Sequence, residues 1–260
     1  MENFIETILK NSLDPASKEI GQTLGYAFNF VFGGFNSFAE KKKIKRQHDV
    51  EQYALEIGQR ISEIPNENLI EPRMSIVGPA LEASRYYIEE DELRIMFANL
   101  IASSMNSETT SLVHPSYIEI IKQLTPLDAQ NLTLFSTHST LPIVNYNLEI
   151  SNGLGYALYQ NVFLENDGMT DIPLQAQSIT NLSRLGLVSI DYDRKLHSTD
   201  AYKKYYIHPF YIDLKREVEE LFSLGEISLK SITIQCSIVR TTPYGESFID
   251  ACLTPTEQIQ

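Results

Sequence analysis

The chain has no tryptophan, and Cys236 and Cys252 are its only cysteines. Domains that fold in an oxidising compartment usually carry a larger, even set of cysteines, so this pair predicts two buried free thiols in a reducing compartment. With only five histidines among 260 residues, ligands for a structural zinc site are also scarce. We therefore predict no metal site and no cofactor.

Positive charge is scarce as well. The chain has 21 lysine and arginine residues against 34 aspartate and glutamate residues, which gives a formal net charge of −13. Phosphate contacts dominate nucleic-acid affinity, so this balance disfavours nucleic-acid binding unless a local basic patch exists. The first six residues lack the basic start and apolar core of a signal peptide, so we expect a cytoplasmic protein.

Catalytic signatures are lacking too. The sequence contains no Walker P-loop, no HExxH and no GxSxG motif. Gly153 and Gly155 stand two residues apart, as in a dinucleotide-binding loop, but no third glycine completes the fingerprint. The sequence therefore predicts a protein that is not an enzyme, and it names no catalytic residue and no small-molecule substrate.

The most unusual feature that is present is the stretch over residues 20–39, which has no charged side chain and contains six aromatic residues. Its apolar residues fall on more than one face of a helix, which is typical of a central helix packed on several sides. A helix of that length would also span about 30 Å, which is close to the thickness of a bilayer core. The stretch is therefore either a buried core helix or a concealed membrane- or partner-binding helix.

The second interpretation assigns specific contact residues. Two glycines four residues apart offer a close-packing face for helix pairing, and a basic cluster after the stretch suits an anionic membrane surface. The predicted membrane or partner helix comprises Gly21, Gly25, Phe28, Phe30, Phe32 and Phe35. The predicted basic flank comprises Lys41, Lys42, Lys43, Lys45 and Arg46.

The character of the sequence changes near residue 138, so we predict a helical domain over 1–138 and a second domain over 139–260. In the second domain, helices are predicted over 153–164 and 173–185, the latter ending at Gly186. An alternating strand over 187–192 and a return strand at 205–207 would then form a β-wing. The predicted fold class is α+β, with a helical bundle followed by a winged-helix-like domain with a small antiparallel sheet.

A winged helix also suggests an alternative function, that of a nucleic-acid-binding or regulatory adaptor. The cations that such a protein would use form a modest positive edge on an acidic chain. They are Arg184, Arg194, Lys195, Lys203 and Lys204.

Four stretches together resemble one family: LRIMFANLIASS (93–104), HPSYIEIIKQLTPLD (114–128), NLSRLGLV (181–188) and TPYGESFIDAC (242–252). In order and spacing they are similar to the abortive infection alpha family of bacterial phage-resistance proteins. The resemblance implies a role in blocking phage propagation and brings no catalytic residue, and each stretch also has a packing explanation. We expect a non-enzymatic effector or sensor that acts through a protein partner, through self-association, or through conditional insertion of the 20–39 helix into the inner membrane.

Overall fold

The computed structural model describes residues 15–33, 40–150, 155–223 and 229–253, and it has an α+β fold as predicted. The helices are α1 (Pro15–Phe32), α2 (Glu40–Ser62), α3 (Met74–Ser84), α4 (Asp91–Ser104), α5 (Ser116–Ile121), α6 (Pro126–Thr133), α7 (Ile172–Arg184), α8 (Lys203–Ile207), α9 (Pro209–Ser223) and α10 (Pro243–Cys252). The strands are β1 (Thr140–Ile150), β2 (Gly155–Val162), β3 (Val188–Asp191) and β4 (Leu229–Thr241). Short 3-10 helices cover Leu134–Ser136 and Thr199–Tyr202.

Contacts within the chain group it into two compact units. One comprises Met1–Ala129 with Glu246–Gln260, and the other comprises Gln130–Gly245. The first unit contains helices α1 to α5, and the second contains the sheet. The division into domains at residue 138 stays a prediction, although residues from Glu246 onward are grouped with the helical unit rather than with the sheet.

Helix α4 is the most deeply packed helix of the first unit. Its first turn carries Asp91 and Glu92, which oppose the positive end of the helix dipole. Leu93, Arg94 and every residue from Met96 to Ser104 are buried, so the helix is covered on all sides. It packs against α2, α3 and α5. The helix surrounded by its neighbours is therefore α4, whereas the sequence suggested that role for the 20–39 stretch.

A guanidinium group is buried at the start of α4. Arg94 donates to both carboxylate oxygens of Glu56, at 2.9 and 3.0 Å, and to Asp91 Oδ1 at 2.7 Å. It also donates to the Ile88 carbonyl oxygen at 3.0 Å. The hydrogen bond with Glu56 raises the pKa of Arg94 above its ordinary value, against the opposing effect of burial. A buried charge is stable only with such partners, so Glu56 and Arg94 depend on each other.

Side chains of α4 also complete the end of α10. Asn99 Nδ2 donates to the Cys252 carbonyl oxygen at 2.8 Å, and Ser103 Oγ donates to the Ala251 carbonyl oxygen at 3.0 Å. The last carbonyls of a helix have no partner within the helix, so these bonds satisfy buried acceptors that would otherwise be unpaired. Arg60 Nε donates in turn to Asn99 Oδ1, which fixes the orientation of the amide.

In the second unit the strands follow the order β2-β1-β4-β3, and every neighbouring pair is antiparallel. β1 pairs with β4 along its whole length, with Val144 opposite Cys236 and Leu148 opposite Ile232. The core beside the sheet is rich in tyrosine. Its buried members are Val144, Tyr146, Val162, Leu164, Ile172, Tyr202 and Tyr205.

Two predicted elements of this unit are wrong. Most of the helix predicted over 153–164 is strand β2, because pairing with β1 satisfies its backbone and its tyrosines and Val162 suit a strand. The return strand predicted at 205–207 lies in helix α8. Tyr205 of α8 and Tyr202 at the end of the preceding 3-10 helix are three residues apart, and both reach the core. β3 pairs with β4 instead of a return strand, so the winged helix is not confirmed.

The end of α7 agrees with the prediction. Gly186 has a φ of 76°, the left-handed conformation that favours glycine. The Gly186 N–H donates to the Ser183 carbonyl and the Leu187 N–H to the Leu182 carbonyl, both at 3.0 Å, which is a Schellman cap.

The start of α10 lies directly against this cap. The Thr242 hydroxyl donates to the Gly186 carbonyl oxygen at 2.6 Å and accepts from the Gly245 N–H at 2.9 Å. A Cβ atom on Gly245 would lie 1.9 Å from the Leu187 carbonyl oxygen, so only glycine allows the two backbone segments to approach this closely. The stretches 181–188 and 242–252 therefore meet through their backbones.

We predict that Gly245→Ala lowers the free energy of unfolding by about 2 kcal/mol or more, because the new methyl group clashes with backbone that cannot move aside. Gly78→Ala is the matched control, since a Cβ there would meet nothing within 4 Å in the interior of α3. It should change stability by less than about 1 kcal/mol, because the gain in helix propensity is offset by Pro79, which disfavours the helical conformation for a preceding residue with a Cβ. Urea denaturation of the full chain measures both, and equal effects would contradict the close approach at Gly245.

Glu56 and Asp91 both pair with Arg94, but the Glu56 side chain is 13% exposed and that of Asp91 is 75% exposed. Glu56→Gln should therefore lower the free energy of unfolding by about 3 kcal/mol, since it leaves a buried charge uncompensated. Asp91→Asn should cost less than about 1 kcal/mol, as expected for an exposed pair. Thermal and urea denaturation of both variants provide the comparison, and a larger loss in Asp91→Asn would refute this order.

Candidate functional site

Helix α1 has one face turned to the protein and one turned to solvent. It packs against α3 in the first unit. The residues on the packed face recur every three or four positions, as expected for a helix buried on one side. They are Ile20, Gly21, Leu24, Gly25, Phe28 and Phe32.

The packed face includes both glycines that the sequence suggested for helix pairing. Gly21 and Gly25 are buried within their own unit, so this face already has a partner in the fold. Phe28 and Phe32 stack with ring centroids 4.6 Å apart, and each lies about 6 Å from the ring of Tyr53, at 6.1 and 6.0 Å. Burial raises the pKa of Tyr53 well above its ordinary value.

The opposite face of α1 exposes two large aromatic side chains. Tyr26 is 70% exposed and Phe30 is 91% exposed. They stand at positions i and i+4, so they are neighbours on the helix surface. Gln22 and Thr23 are exposed on the same side. We call Tyr26 and Phe30 the aromatic pair. The described aromatic residues of this stretch are therefore divided between a packed face and an exposed face.

Helix α1 is shorter than the stretch that suggested it. It ends at Phe32, and the Gly33 N–H donates to the Asn29 carbonyl oxygen at 2.7 Å in the turn that follows. A single helix over 20–39 is therefore wrong, and Phe35 lies outside the described residues. Across the described ranges, no helix has both the length and the apolar character needed to cross a bilayer.

The predicted basic flank follows in α2. Residues 40–46 form the first two turns of that helix, and all five basic residues of the flank fall within them. They are Lys41, Lys42, Lys43, Lys45 and Arg46. The sequence thus places a cluster of one sign of charge shortly after the aromatic pair, in a chain whose net charge is −13.

The predicted nucleic-acid edge lies in the second unit and is largely balanced by its own carboxylates. Three of its cations form ion pairs: Arg194 with Asp191 at 3.5 Å, Lys203 with Asp200 at 2.8 Å and Lys204 with Glu165 at 2.8 Å. Arg184 donates to Asn181 Oδ1, and Lys195 is exposed. Pairing of this kind leaves a surface of mixed sign rather than a positive patch.

A surface pocket of about 730 Å³ opens in the second unit beside this edge. Lys203 and Lys204 line it together with Glu165 and several apolar side chains. Sequence reasoning named the two lysines for another purpose and missed Glu165. The residues that form the pocket come from segments that are far apart in the chain, and no local pattern indicates that they meet.

Both cysteines are free, as predicted, although only Cys252 is fully buried and Cys236 is partly exposed. Burial raises the pKa of the Cys252 thiol well above its ordinary value. In the part of the chain that the structure describes, no group of three or more histidine, cysteine, aspartate or glutamate side chains is placed to hold a metal ion.

The family profile described as abortive infection alpha matches residues 45–252. No curated protein and no solved structure shows significant similarity to the chain. The matched region includes all four stretches that suggested the resemblance, and it begins after α1. The chain belongs to the abortive infection alpha family, which suggests a role in abortive infection, a bacterial defence against phage.

Proposed function

We propose that this chain is a non-enzymatic effector of abortive infection that binds the anionic cytoplasmic surface of the bacterial inner membrane. The contact surface in this proposal is the aromatic pair of α1 together with the basic flank in α2. The observation that carries it is the 91% exposure of Phe30, on a helix whose other face is packed into the protein.

Exposure of the aromatic pair is unfavourable in water and becomes favourable at a membrane interface. Removing a phenylalanine side chain from water is worth about 1.5–3 kcal/mol. Tyrosine prefers the headgroup level, where its ring is apolar and its hydroxyl group stays hydrated. Amphipathic helices that lie in the interface use aromatic residues on the buried face and basic residues nearby in the same way.

The basic flank supports a membrane as the partner rather than a protein. Each lysine or arginine near an anionic leaflet contributes about 1 kcal/mol to binding. The flank has five such residues within positions 41–46. A protein partner or a second copy of the chain would also cover the aromatic pair. These alternatives are outcomes of the test below.

The non-enzymatic part of the proposal is supported by the roles of the polar residues in the family stretches. Asn99, Ser103 and Thr242 all donate to backbone carbonyl oxygens of their own chain. They complete helix ends and bring segments together, so these side chains are used for packing. The nucleic-acid alternative has weaker support, because Arg194, Lys203 and Lys204 are paired with carboxylates.

We predict that Phe30→Asp abolishes co-sedimentation of the full chain with vesicles of phosphatidylglycerol and phosphatidylethanolamine. The free energy of unfolding should change by less than about 0.5 kcal/mol, because the position is exposed. Phe32→Asp should instead prevent stable folding, since Phe32 is buried against Phe28 and Tyr53. Tyr86→Asp is the matched control, because Tyr86 is an exposed aromatic residue outside α1 and the variant should still bind.

The same variants decide the biological role. Expression of the wild-type chain should lower the plaquing efficiency of a sensitive phage, and Phe30→Asp should restore it while Tyr86→Asp should not. Full protection by Phe30→Asp would contradict the proposal. A third outcome is that Phe30→Asp loses protection although the wild-type chain does not bind vesicles. That result would show that the aromatic pair binds a protein partner and not the membrane.

A further inference from the structure

We propose that the pocket in the second unit is a binding site for a small apolar molecule that carries one N–H or O–H donor, and that Glu165 accepts this hydrogen bond. The pocket lies within Gln130–Gly245 and shares no residue with the membrane-contact surface. The inference is independent of that surface and rests on the shape, lining and hydrogen bonding of the pocket.

The size and the walls of the pocket suit a small molecule. Its volume of about 730 Å³ falls within the range of roughly 300–1,000 Å³ that is typical of ligand sites. The exposed area of the walls is mainly apolar. The apolar lining residues are Leu134, Leu141, Pro142, Leu196, Ala201 and Ile207, and the polar residues Thr137, His138 and Thr140 also line the pocket. Ile207 is largely exposed on this wall, so a ligand with an apolar body would remove that side chain from water.

Glu165 is held in place through one of its two carboxylate oxygens. Lys204 Nζ lies 2.8 Å from Oε1, and the Tyr205 hydroxyl oxygen lies 3.1 Å from the same atom. Lys204 also donates to the Leu164 carbonyl oxygen at 2.8 Å, which fixes the ammonium group. Among the described residues, Oε2 has no hydrogen-bond partner. The result is a carboxylate whose orientation is set by one oxygen while the other is available to a ligand.

Tyr205 strengthens this arrangement because its hydroxyl group cannot easily ionise. The hydroxyl oxygen accepts from the Leu164 N–H at 3.2 Å and lies 2.9 Å from the Pro142 carbonyl oxygen. Burial raises the pKa of Tyr205 well above its ordinary value, and the charge of Glu165 raises it further. The phenol thus stays neutral, and its single hydrogen lies between two acceptors, the Pro142 carbonyl oxygen and Glu165 Oε1, so the ring holds both in place.

The chemistry of the ligand follows from these groups. Lys204 balances the charge of Glu165, and Lys203 balances Asp200 at the rim, so the pocket has little net charge to attract an ion. The apolar body of the ligand would contact the apolar walls, and its single N–H or O–H group would donate to Glu165 Oε2. A hydrogen bond to a charged acceptor discriminates strongly, because its loss leaves a desolvated carboxylate oxygen without a partner.

Indole is a suitable probe, because it is an apolar bicyclic molecule with one N–H donor, and 1-methylindole has nearly the same shape without the donor. The chain has no tryptophan, so indole emission can be followed without an intrinsic indole background. Titration of the full chain should show saturable indole binding. Its affinity should exceed that of 1-methylindole by about tenfold or more, as expected for a hydrogen bond to a charged group.

Variants locate the binding to this pocket. Glu165→Gln should weaken indole binding by about tenfold. Asp193→Asn, which changes an exposed carboxylate outside the pocket lining, should leave it unchanged. Ala201→Phe should weaken saturable binding by narrowing the pocket without changing a polar group, and it keeps the test decisive if Glu165→Gln loses stability. Absence of saturation, equal affinity for the two indoles, or unchanged binding by Glu165→Gln or Ala201→Phe would each overturn the proposal.

Discussion

The packing of the first unit is constrained by the last carbonyl groups of α10, which are buried and must receive hydrogen bonds from outside their own helix. Asn99 and Ser103 donate these hydrogen bonds from one face of α4. The donor and the acceptor are 153 residues apart in the first bond and 148 residues apart in the second. Buried carbonyls without partners would each cost about 1–3 kcal/mol, so the end of α10 and the middle of α4 stabilise each other. The same bonds explain why the stretch 93–104 carries the polar residues Asn99 and Ser103 at buried positions.

Elements decided by local periodicity could be predicted from the sequence, and elements decided by distant pairing could not. The apolar spacing of Leu93, Met96 and Phe97 indicated α4, and the position of Gly186 indicated the end of α7. The sequence predicts a helix in place of β2 because a short run of this composition fits either element, and the pairing with β1 decides between them. Tyr205 was assigned to a strand because aromatic residues favour strands, whereas the core selects the helical spacing of Tyr202 and Tyr205.

The residues of the proposed contact surface could also be named from the sequence, but the face of the helix on which each one lies could not. Phe28, Phe30 and Phe32 look alike along the chain, and a stretch with apolar residues on every face does not indicate which face is packed. The position of α3 and of Tyr53 decides it: Phe28 and Phe32 are buried, while Phe30 faces solvent. The pocket had no signal in the sequence, since Glu165 and Tyr205 are 40 residues apart and meet only in the folded unit.

The packed and exposed faces of α1 allow two modes of membrane binding to be compared: insertion of the whole helix, and surface contact through the exposed face alone. Conditional insertion of the whole helix would first remove Leu24, Phe28 and Phe32 from the core, at about 1.5–3 kcal/mol for each side chain and thus about 5–9 kcal/mol together. That is comparable with the whole stability of a typical domain, so such a release would amount to unfolding the unit. Binding through Tyr26 and Phe30 incurs no such cost, because both are already exposed and the packed face stays in place. The division of aromatic residues between the two faces therefore favours contact with the membrane surface over insertion of the helix.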